Sequence, residues 1–140
     1  MATQPRSADV TGDLHVTNDA DADVQIRDGY SVEVAVWLQD VLGLTDAQIA
    51  DVIGRSRRTL ARYRNDGKQL GVPESERLHR YLRLLNTAEN IFGTREKAAW
   101  WMTEPNAALD GRTPFDVALT APGAAVVDDL LAGLEHGLPL

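Results

Sequence analysis

The chain has 140 residues, of which 44% are apolar and 25% are charged, with a net charge of −7, and this is the composition of a globular protein. The absence of cysteine excludes disulfides and thiolate metal sites, and His15, His79 and His136 are too widely spaced to form a ligand set, so we expect no metal and no cofactor. No apolar run reaches the ~18 residues of a membrane span, and the N-terminus lacks a secretory signal, so we predict a cytoplasmic protein without membrane contact.

Residues 1–29 are polar and rich in aspartate, with five aspartates between Asp9 and Asp23. Apolar residues are sparse here and show no helical period, so the segment lacks a face that could pack on a core. We therefore predict a flexible acidic tail over residues 1–29, in which only short extended pieces form, at Leu14–Val16 or Val24–Ile26.

From Val32 onwards, apolar residues recur at three- and four-residue steps, and this pattern predicts an all-α fold. A first helix ends at Gly43. Thr45, with Gln48 three residues later, forms a capping-box signature at the start of a second helix. The inward face of the first helix is predicted to consist of Val34, Trp37, Leu38, Val41 and Leu42.

The segment from Thr45 to Asn65 has the pattern of a helix-turn-helix motif, which we place in a DNA-binding domain of residues 30–72. Ala50 is the small residue where two helices cross, and Gly54 makes the tight turn between them. Ser56 caps the third helix, which turns Leu60 and Tyr63 inward. Arg55 departs from the pattern, since an apolar residue is usual there, and we expect it to point outward or to snorkel.

The positive charge of this acidic chain is concentrated around the motif. Residues 54–83 hold nine Lys and Arg residues against three Asp and Glu residues. A solvated helix face would carry the same charge without binding anything. We nevertheless interpret it as a DNA-binding face, and because one motif contacts a short half-site, we expect a homodimer. Base contacts are expected from Ser56, Arg57, Arg58 and Arg62, and phosphate contacts from Arg64 and Lys68.

The second half of the chain is predicted to contain a connecting helix over residues 73–92 and a small helical domain over residues 93–140. Thr94 caps a short helix, Thr113-Pro114 starts another, and a last helix runs from about Pro122 to His136. Trp100 and Trp101 are consecutive and cannot both face one core, so one of them is a candidate interface residue. The apolar face of the last helix is predicted to consist of Val126, Val127, Leu130, Leu131 and Leu134.

Many loosely spaced elements of this half occur in one recognisable order. They are Phe92-Gly93, Trp100 with Trp101, Pro105-Asn106, Leu109 with Gly111, Thr113-Pro114, Gly123-Ala124 and Glu135-His136-Gly137. Together they resemble the toxin-binding domain of bacterial Xre/MbcA/ParS-type antitoxins. Upstream, Arg58-Thr59-Leu60 with Arg62, and Ser75 with Arg77, are similar to the Xre-like helix-turn-helix of the same family, which adds Thr59 to the expected DNA contacts. The resemblance covers about residues 37–140 and leaves out the acidic tail.

The resemblance implies that the chain is the antitoxin of a type II toxin–antitoxin pair. It implies a partner toxin with an RES domain that consumes NAD⁺, inhibition by blocking access to the toxin active site, and autoregulation through binding of the helix-turn-helix to the operon promoter. In that family the last helix and the residues after it approach the toxin cleft. Toxin contacts are therefore expected from Trp100, Trp101, Pro105, Asn106, Leu134, Glu135, His136, Gly137, Leu138, Pro139 and Leu140.

Several of these residues also have purely structural interpretations. Pro105-Asn106 is typical of a turn, a histidine such as His136 suits a helix end, and Asp128 with Asp129 is typical of a solvated face. No catalytic constellation is present, so we predict that the chain is not an enzyme. Two other functions stay open: a transcriptional regulator whose C-terminal domain only dimerises or binds an effector, and a toxin binder whose motif no longer binds DNA.

Overall fold

The computed structural model describes residues 19–137 and confirms the prediction of an all-α fold, since no strand occurs in this range. The predicted toxin contacts Leu138, Pro139 and Leu140, and the predicted piece Leu14–Val16, lie outside the described residues. The helices are α1 (Asp19–Asp28), α2 (Val32–Leu42), α3 (Asp46–Ile53), α4 (Arg57–Asp66), α5 (Val72–Phe92), α6 (Arg95–Thr103), a short 3-10 helix (Ala107–Leu109), α7 (Pro114–Val117) and α8 (Ala121–Glu135).

The described chain forms two compact units that divide after Leu82. The division falls inside α5, so this long helix contributes residues to both units. In the first unit α2 packs against α3 and α4, and in the second α7 packs against α6 and α8. None of the helices within residues 19–137 is long and apolar enough to cross a membrane.

The first unit has the predicted helix-turn-helix. The capping box of α3 is present, because the Gln48 N–H donates to Thr45 Oγ1 at 3.1 Å and the Thr45 N–H donates to Gln48 Oε1 at 2.8 Å. Apolar side chains from all its helices after α1 are withdrawn from solvent, which favours this packing. They include Val34, Leu38, Ile49, Ile53, Leu60 and Leu78.

The N-terminal helix α1 corrects the sequence prediction, which placed residues 1–29 in a flexible tail and allowed only an extended piece at Val24–Ile26. Two local effects favour this helix. Asp19 and Asp21 lie at its positive end, and the Arg27 guanidinium pairs with the Asp23 carboxylate one turn away, at 2.9 Å. Ala22 is the only buried residue of α1, so this helix has almost no apolar stripe. Its sequence therefore shows no apolar periodicity from which a helix could be predicted.

The segment after α1 is paired with the segment after α4. The Leu70 N–H donates to the Tyr30 carbonyl at 2.8 Å, the Val32 N–H donates to the Lys68 carbonyl at 3.2 Å, and Ser31 and Gln69 form an isolated antiparallel bridge. Gly29 is required at this crossing, because its φ is +86° and a Cβ there would lie 2.3 Å from the Leu70 carbonyl oxygen. The pairing fixes where the chain leaves α4.

The second unit has a core of small and large apolar residues. Ala98 and Met102 of α6, Phe115 of α7, and Val127 with Leu131 of α8 are buried. The predicted apolar face of α8 was too wide, since Val126 is 48% exposed and Leu130 and Leu134 are half-buried. Helix α8 therefore buries a narrow stripe and presents further apolar surface beside it.

Candidate functional site

The exposed face of α4 lies opposite two inward side chains. Leu60 and Tyr63 are the buried residues of this helix, and Ser56 caps it by accepting a hydrogen bond from the Thr59 N–H at 3.1 Å. Ser56 itself is exposed and Thr59 is half-buried. The predicted DNA contacts that the structure leaves exposed on α4 and just after it are Arg57, Arg58, Arg62, Arg64 and Lys68.

These cationic side chains differ in the neighbouring groups that they contact. Arg62 Cζ lies 5.8 Å and Lys68 Nζ 5.3 Å from the centroid of the Tyr63 ring, so both cations rest against one aromatic side chain. Arg64 Nη1 lies 3.6 Å from Asp46 Oδ1 in an exposed pair, which is a weak interaction. No ion pair is found for Arg57 or Arg58 within residues 19–137. The start of α4 thus presents two guanidinium groups to solvent.

A buried carboxylate behind α4 was missed by the sequence analysis. Glu74, in the first turn of α5, is only 4% exposed. Its Oε1 accepts the Gly71 N–H at 2.7 Å, and its Oε2 accepts the Tyr63 hydroxyl at 3.1 Å and Arg55 Nε. Arg55 is therefore an ion-pair partner of Glu74, and its side chain is half exposed. The sequence feature that could have revealed Glu74 is Arg55, which departs from the helix-turn-helix pattern. A cation at a position that is usually apolar implies a buried anion near it.

The surroundings of Glu74 shift its pKa in opposite directions. Burial alone raises the pKa of a carboxyl group, but the hydrogen bonds from Gly71, Arg55 and Tyr63, together with the Arg55 charge, outweigh burial and lower the pKa of Glu74 below its ordinary value of 4.5. The same contact raises the pKa of Arg55, mainly through its hydrogen bond to Glu74. Glu74 is therefore ionised in the folded protein at neutral pH.

We expect the Glu74 cluster to make the stability of the protein depend on acidity. Because the folded state lowers the Glu74 pKa, this contribution is complete above about pH 4.5 and is lost as the pH falls through the lower folded-state pKa. Urea unfolding of wild type and Glu74→Gln between pH 7 and 3 measures it. The free energy of unfolding of the wild type should exceed that of the variant at pH 7, and the difference should shrink in acid. A constant difference would contradict this assignment.

The second unit exposes one of its two tryptophans to solvent and partly buries the other. Trp100 of α6 is 64% exposed, and Trp101 is half-buried with its ring centroid 5.5 Å from that of Phe92. Two consecutive helical residues were predicted to have different environments, and the structure shows that Trp100 is the exposed one and Trp101 the half-buried one. An exposed indole is the kind of side chain that anchors protein interfaces, so Trp100 is the stronger candidate contact.

The other predicted contacts of the second unit lie on a turn and at the end of α8. Asn106 Oδ1 accepts the Ala108 N–H at 2.9 Å, so Asn106 caps the 3-10 helix beside the exposed Pro105. Leu134 is half-buried. The residues that follow it are exposed, and they are Glu135, His136 and Gly137.

Asp128 corrects a prediction, because it is not part of a purely solvated face. Its two carboxylate oxygens accept Arg83 Nη1 and Nη2 at 2.8 Å each. A bidentate pair of this geometry fixes orientation as well as adding energy, so it ties α8 to α5 within the second unit. Among residues 19–137 no group of His, Asp and Glu side chains is placed to hold a metal ion.

Two family models match this chain, one on each side of residue 85. The antitoxin Xre-like helix-turn-helix domain matches residues 21–83, and the antitoxin Xre/MbcA/ParS C-terminal toxin-binding domain matches residues 87–137. The first match begins at residue 21 rather than at residue 37, so most of α1 belongs to the helix-turn-helix domain and not to a tail outside the family.

Curated relatives and a solved structure agree with these matches. The antitoxin Xre of Yersinia enterocolitica is 34% identical over 114 residues, which cover 81% of this chain and 77% of the relative. The antitoxin Xre of Pseudomonas putida is 29% identical over 129 residues, covering 89% and 77%. A chain of the M. tuberculosis MbcT–MbcA toxin–antitoxin complex shares the fold, with a TM-score of 0.57, 22% identity and coverage of 78% of this chain and 96% of that one.

The names of these relatives describe a role that is not enzymatic, in agreement with the sequence prediction. The order of the two domains, helix-turn-helix first and toxin-binding domain second, is also the order predicted from the residues. The chain therefore belongs to the Xre antitoxins and is the antitoxin of a toxin–antitoxin system.

Proposed function

We propose that this antitoxin binds a cognate RES-domain toxin, an NAD⁺-consuming enzyme, and blocks access to its active site, and that it represses its own operon as a homodimer bound to promoter DNA. The observation that carries the proposal is the presence of both family domains in one chain, each with its own exposed candidate surface. Promoter DNA lies in the bacterial cytoplasm, so the proposal places the protein there.

The promoter half of the proposal is supported by the charge and exposure of α4. Residues 54–83 carry nine cations against three anions in a chain whose net charge is −7, and the α4 arginines among them face solvent. Acidic surroundings repel DNA that approaches any other face, so binding through α4 is favoured over indiscriminate binding. We assign base contacts to Ser56, Arg57, Arg58, Thr59 and Arg62 and phosphate contacts to Arg64 and Lys68.

The toxin half is supported by the apolar surface that the second unit leaves exposed. Within residues 19–137, Trp100 is 64% exposed and Val126 48% exposed, and Leu134 is half-buried near the end of α8. Removing such surface from water favours association by ~25 cal/mol per Å2 of apolar area. The structural relative comes from a complex of a toxin with an antitoxin, which fits the same use of this domain.

Co-expression with the neighbouring gene tests both halves of the proposal. The antitoxin should restore growth to cells that express the toxin and should co-purify with it, and it should retard a duplex spanning its own upstream region. Retarded DNA without rescue would instead favour a plain transcriptional regulator. Rescue without retarded DNA would favour a toxin binder that has lost DNA binding.

Removal of residues 136–140 should weaken toxin neutralisation. Helix α8 ends at Glu135, so the truncation removes no residue of a helix, only the N–H groups of His136 and Gly137 that close its last turn. It also removes the candidate contacts His136 and Gly137 and the apolar residues after them. We expect the affinity for the toxin to fall about tenfold or more, since even a small apolar segment contributes ~1–3 kcal/mol when buried. Titration of toxin activity against added antitoxin measures this loss.

Promoter binding provides the internal control for the truncated chain. It should retard the upstream duplex as well as the full chain does, which shows that the first unit and any dimer are intact. Full neutralisation by a truncated chain would mean that the end of the chain does not contribute to blocking the toxin.

A further inference from the structure

Helix α4 packs on α2 and α3 through a narrow apolar face. Only Leu60 and Tyr63 are buried along its ten residues, and apart from the exposed Ala61 the rest of the helix is polar or charged. A broad apolar stripe holds a helix in place by packing, and two buried side chains give α4 only a narrow one. Base recognition depends on the direction in which side chains leave the helix. Polar contacts therefore share in setting that direction.

Glu74 holds α4 near both of its ends through a single oxygen atom. Arg55 lies two residues before the first residue of α4, and Tyr63 lies in its second half. These residues are eight positions apart in the sequence, and one precedes the helix while the other lies within it. Nevertheless, Arg55 Nε and the Tyr63 hydroxyl both donate to Glu74 Oε2. One carboxylate thereby restrains the tilt and the rotation of the helix together.

The carboxylate is itself fixed in place. Its other oxygen, Oε1, accepts the Gly71 N–H at 2.7 Å, so both oxygens have defined partners. Glu74 is 4% exposed, and in such surroundings hydrogen bonds to a charged group are stronger and more directional than on the surface. Water therefore offers no easy replacement for the Arg55 and Tyr63 contacts.

The restraint extends to the candidate base contact Arg62 through the ring of Tyr63. Arg62 and Lys68 both rest against this ring, at 5.8 Å and 5.3 Å from its centroid. The bond from the hydroxyl to Glu74 fixes the far end of this ring, so the ring cannot shift along α4 without breaking it. The position of Tyr63 therefore fixes the surface against which the Arg62 guanidinium rests.

We propose that Glu74 is a positioning residue for sequence-specific DNA recognition, which acts through Arg55 and Tyr63 to hold α4 and its candidate base contact Arg62 in the geometry that base pairs require. The proposal rests on the promoter binding proposed above. It differs from a direct contact, because a buried anion cannot touch a phosphate. It predicts a loss of specificity without a loss of phosphate contacts.

The test compares three variants of the full chain by their affinity for two duplexes, one from its own upstream region and one of unrelated sequence. Glu74→Gln removes the charge but keeps the shape, and Tyr63→Phe removes one hydroxyl group and keeps the ring. Glu76→Gln is the matched control, because Glu76 is exposed in the same turn of α5 and its replacement changes the net charge by the same amount. Affinities are measured over a range of salt concentrations.

Glu74→Gln should bind the upstream duplex at least about tenfold more weakly, and Tyr63→Phe about threefold more weakly, because hydrogen bonds to a charged group are lost. Affinity for the unrelated duplex should stay within about twofold. The slope of log affinity against log salt concentration should not change, since no phosphate contact is removed. Glu76→Gln should lose no affinity for either duplex.

Three results would overturn the proposal. If Glu74→Gln and Tyr63→Phe bind the upstream duplex like the wild type, Glu74 does not position α4. If affinity for both duplexes falls together and the salt slope drops by about one, Arg55 is a phosphate contact that Glu74 merely accompanies. If the wild type itself fails to prefer the upstream duplex, the promoter half of the proposed function fails and this inference fails with it. Toxin co-purification by each variant reports that the second unit is folded.

Discussion

Gly123→Ala should disrupt the second unit and abolish toxin binding while leaving promoter binding in place. A Cβ at this position would lie 1.7 Å from the Val117 carbonyl oxygen and 2.9 Å from its carbon, and both are backbone atoms that cannot rotate away. Alanine gains about 1 kcal/mol over glycine inside a helix. A forced separation of α7 from α8 costs more than this gain, and we expect a net loss of about 3 kcal/mol or more in the stability of the second unit.

Tryptophan fluorescence can follow this unit alone. In a Trp37→Phe background the remaining tryptophans are Trp100 and Trp101, and both lie in the second unit. Urea unfolding should shift to lower concentration in Gly123→Ala but not in Ala125→Ser, which adds an atom at an exposed position two residues further along α8. Equal unfolding midpoints would show that the turn between α7 and α8 can open at little cost.

The helix-turn-helix could be predicted from sequence because local signals agree there. Thr45 with Gln48 marks the start of α3, Gly54 marks its end, and both features appear in the structure with the predicted contacts. Apolar spacing gave the inward face of α4 correctly, since Leu60 and Tyr63 are its buried residues. In this region propensity, capping and periodicity all indicate the same arrangement, so no tertiary information was needed.

Helix α1 and the Glu74 cluster could not be predicted in the same way, because tertiary contacts define them. The segment of α1 has no apolar stripe, and its C-terminal end is fixed by contacts to residues some 40 positions away, among them Gln69 to the Asp28 carbonyl at 3.2 Å. Glu74 lies 19 residues from Arg55 and 11 from Tyr63. Contacts between residues this far apart in the sequence produce no periodic pattern. Only Arg55, a charged residue at a position that is usually apolar, indicated the Glu74 cluster.

The candidate toxin surface shows a second limit on prediction from sequence. Apolar periodicity does not distinguish a face that packs inside the chain from a face that binds a partner, because both have the same spacing. The predicted apolar face of α8 contained residues of both kinds, and the structure separates buried Val127 and Leu131 from exposed Val126. The division itself is informative, since an apolar residue left outside the core is a candidate for an intermolecular contact.

Combined replacement of Arg58 and Arg62 by alanine should abolish retardation of the upstream duplex. The two residues lie four positions apart on α4, about one helical turn, so both project from the same exposed face, and we expect both to enter one groove. A bidentate arginine–guanine contact contributes about 1–3 kcal/mol of discrimination, so the loss of two should weaken binding by about 100-fold or more. A homodimer would lose both contacts in each half-site, which increases the effect. Fluorescence anisotropy with a labelled duplex measures it.

Net charge alone would also weaken DNA binding, so the control must remove the same charge elsewhere. Lys97→Ala with Arg112→Ala does so at two exposed positions of the second unit. If α4 is the DNA-contacting helix, this control should keep nearly all of its affinity, because it removes two cations without removing a contact that α4 makes. Equal losses in both double variants would mean that the protein binds DNA through its overall field. A strong shift that survives Arg58→Ala with Arg62→Ala would place the DNA contact on another face.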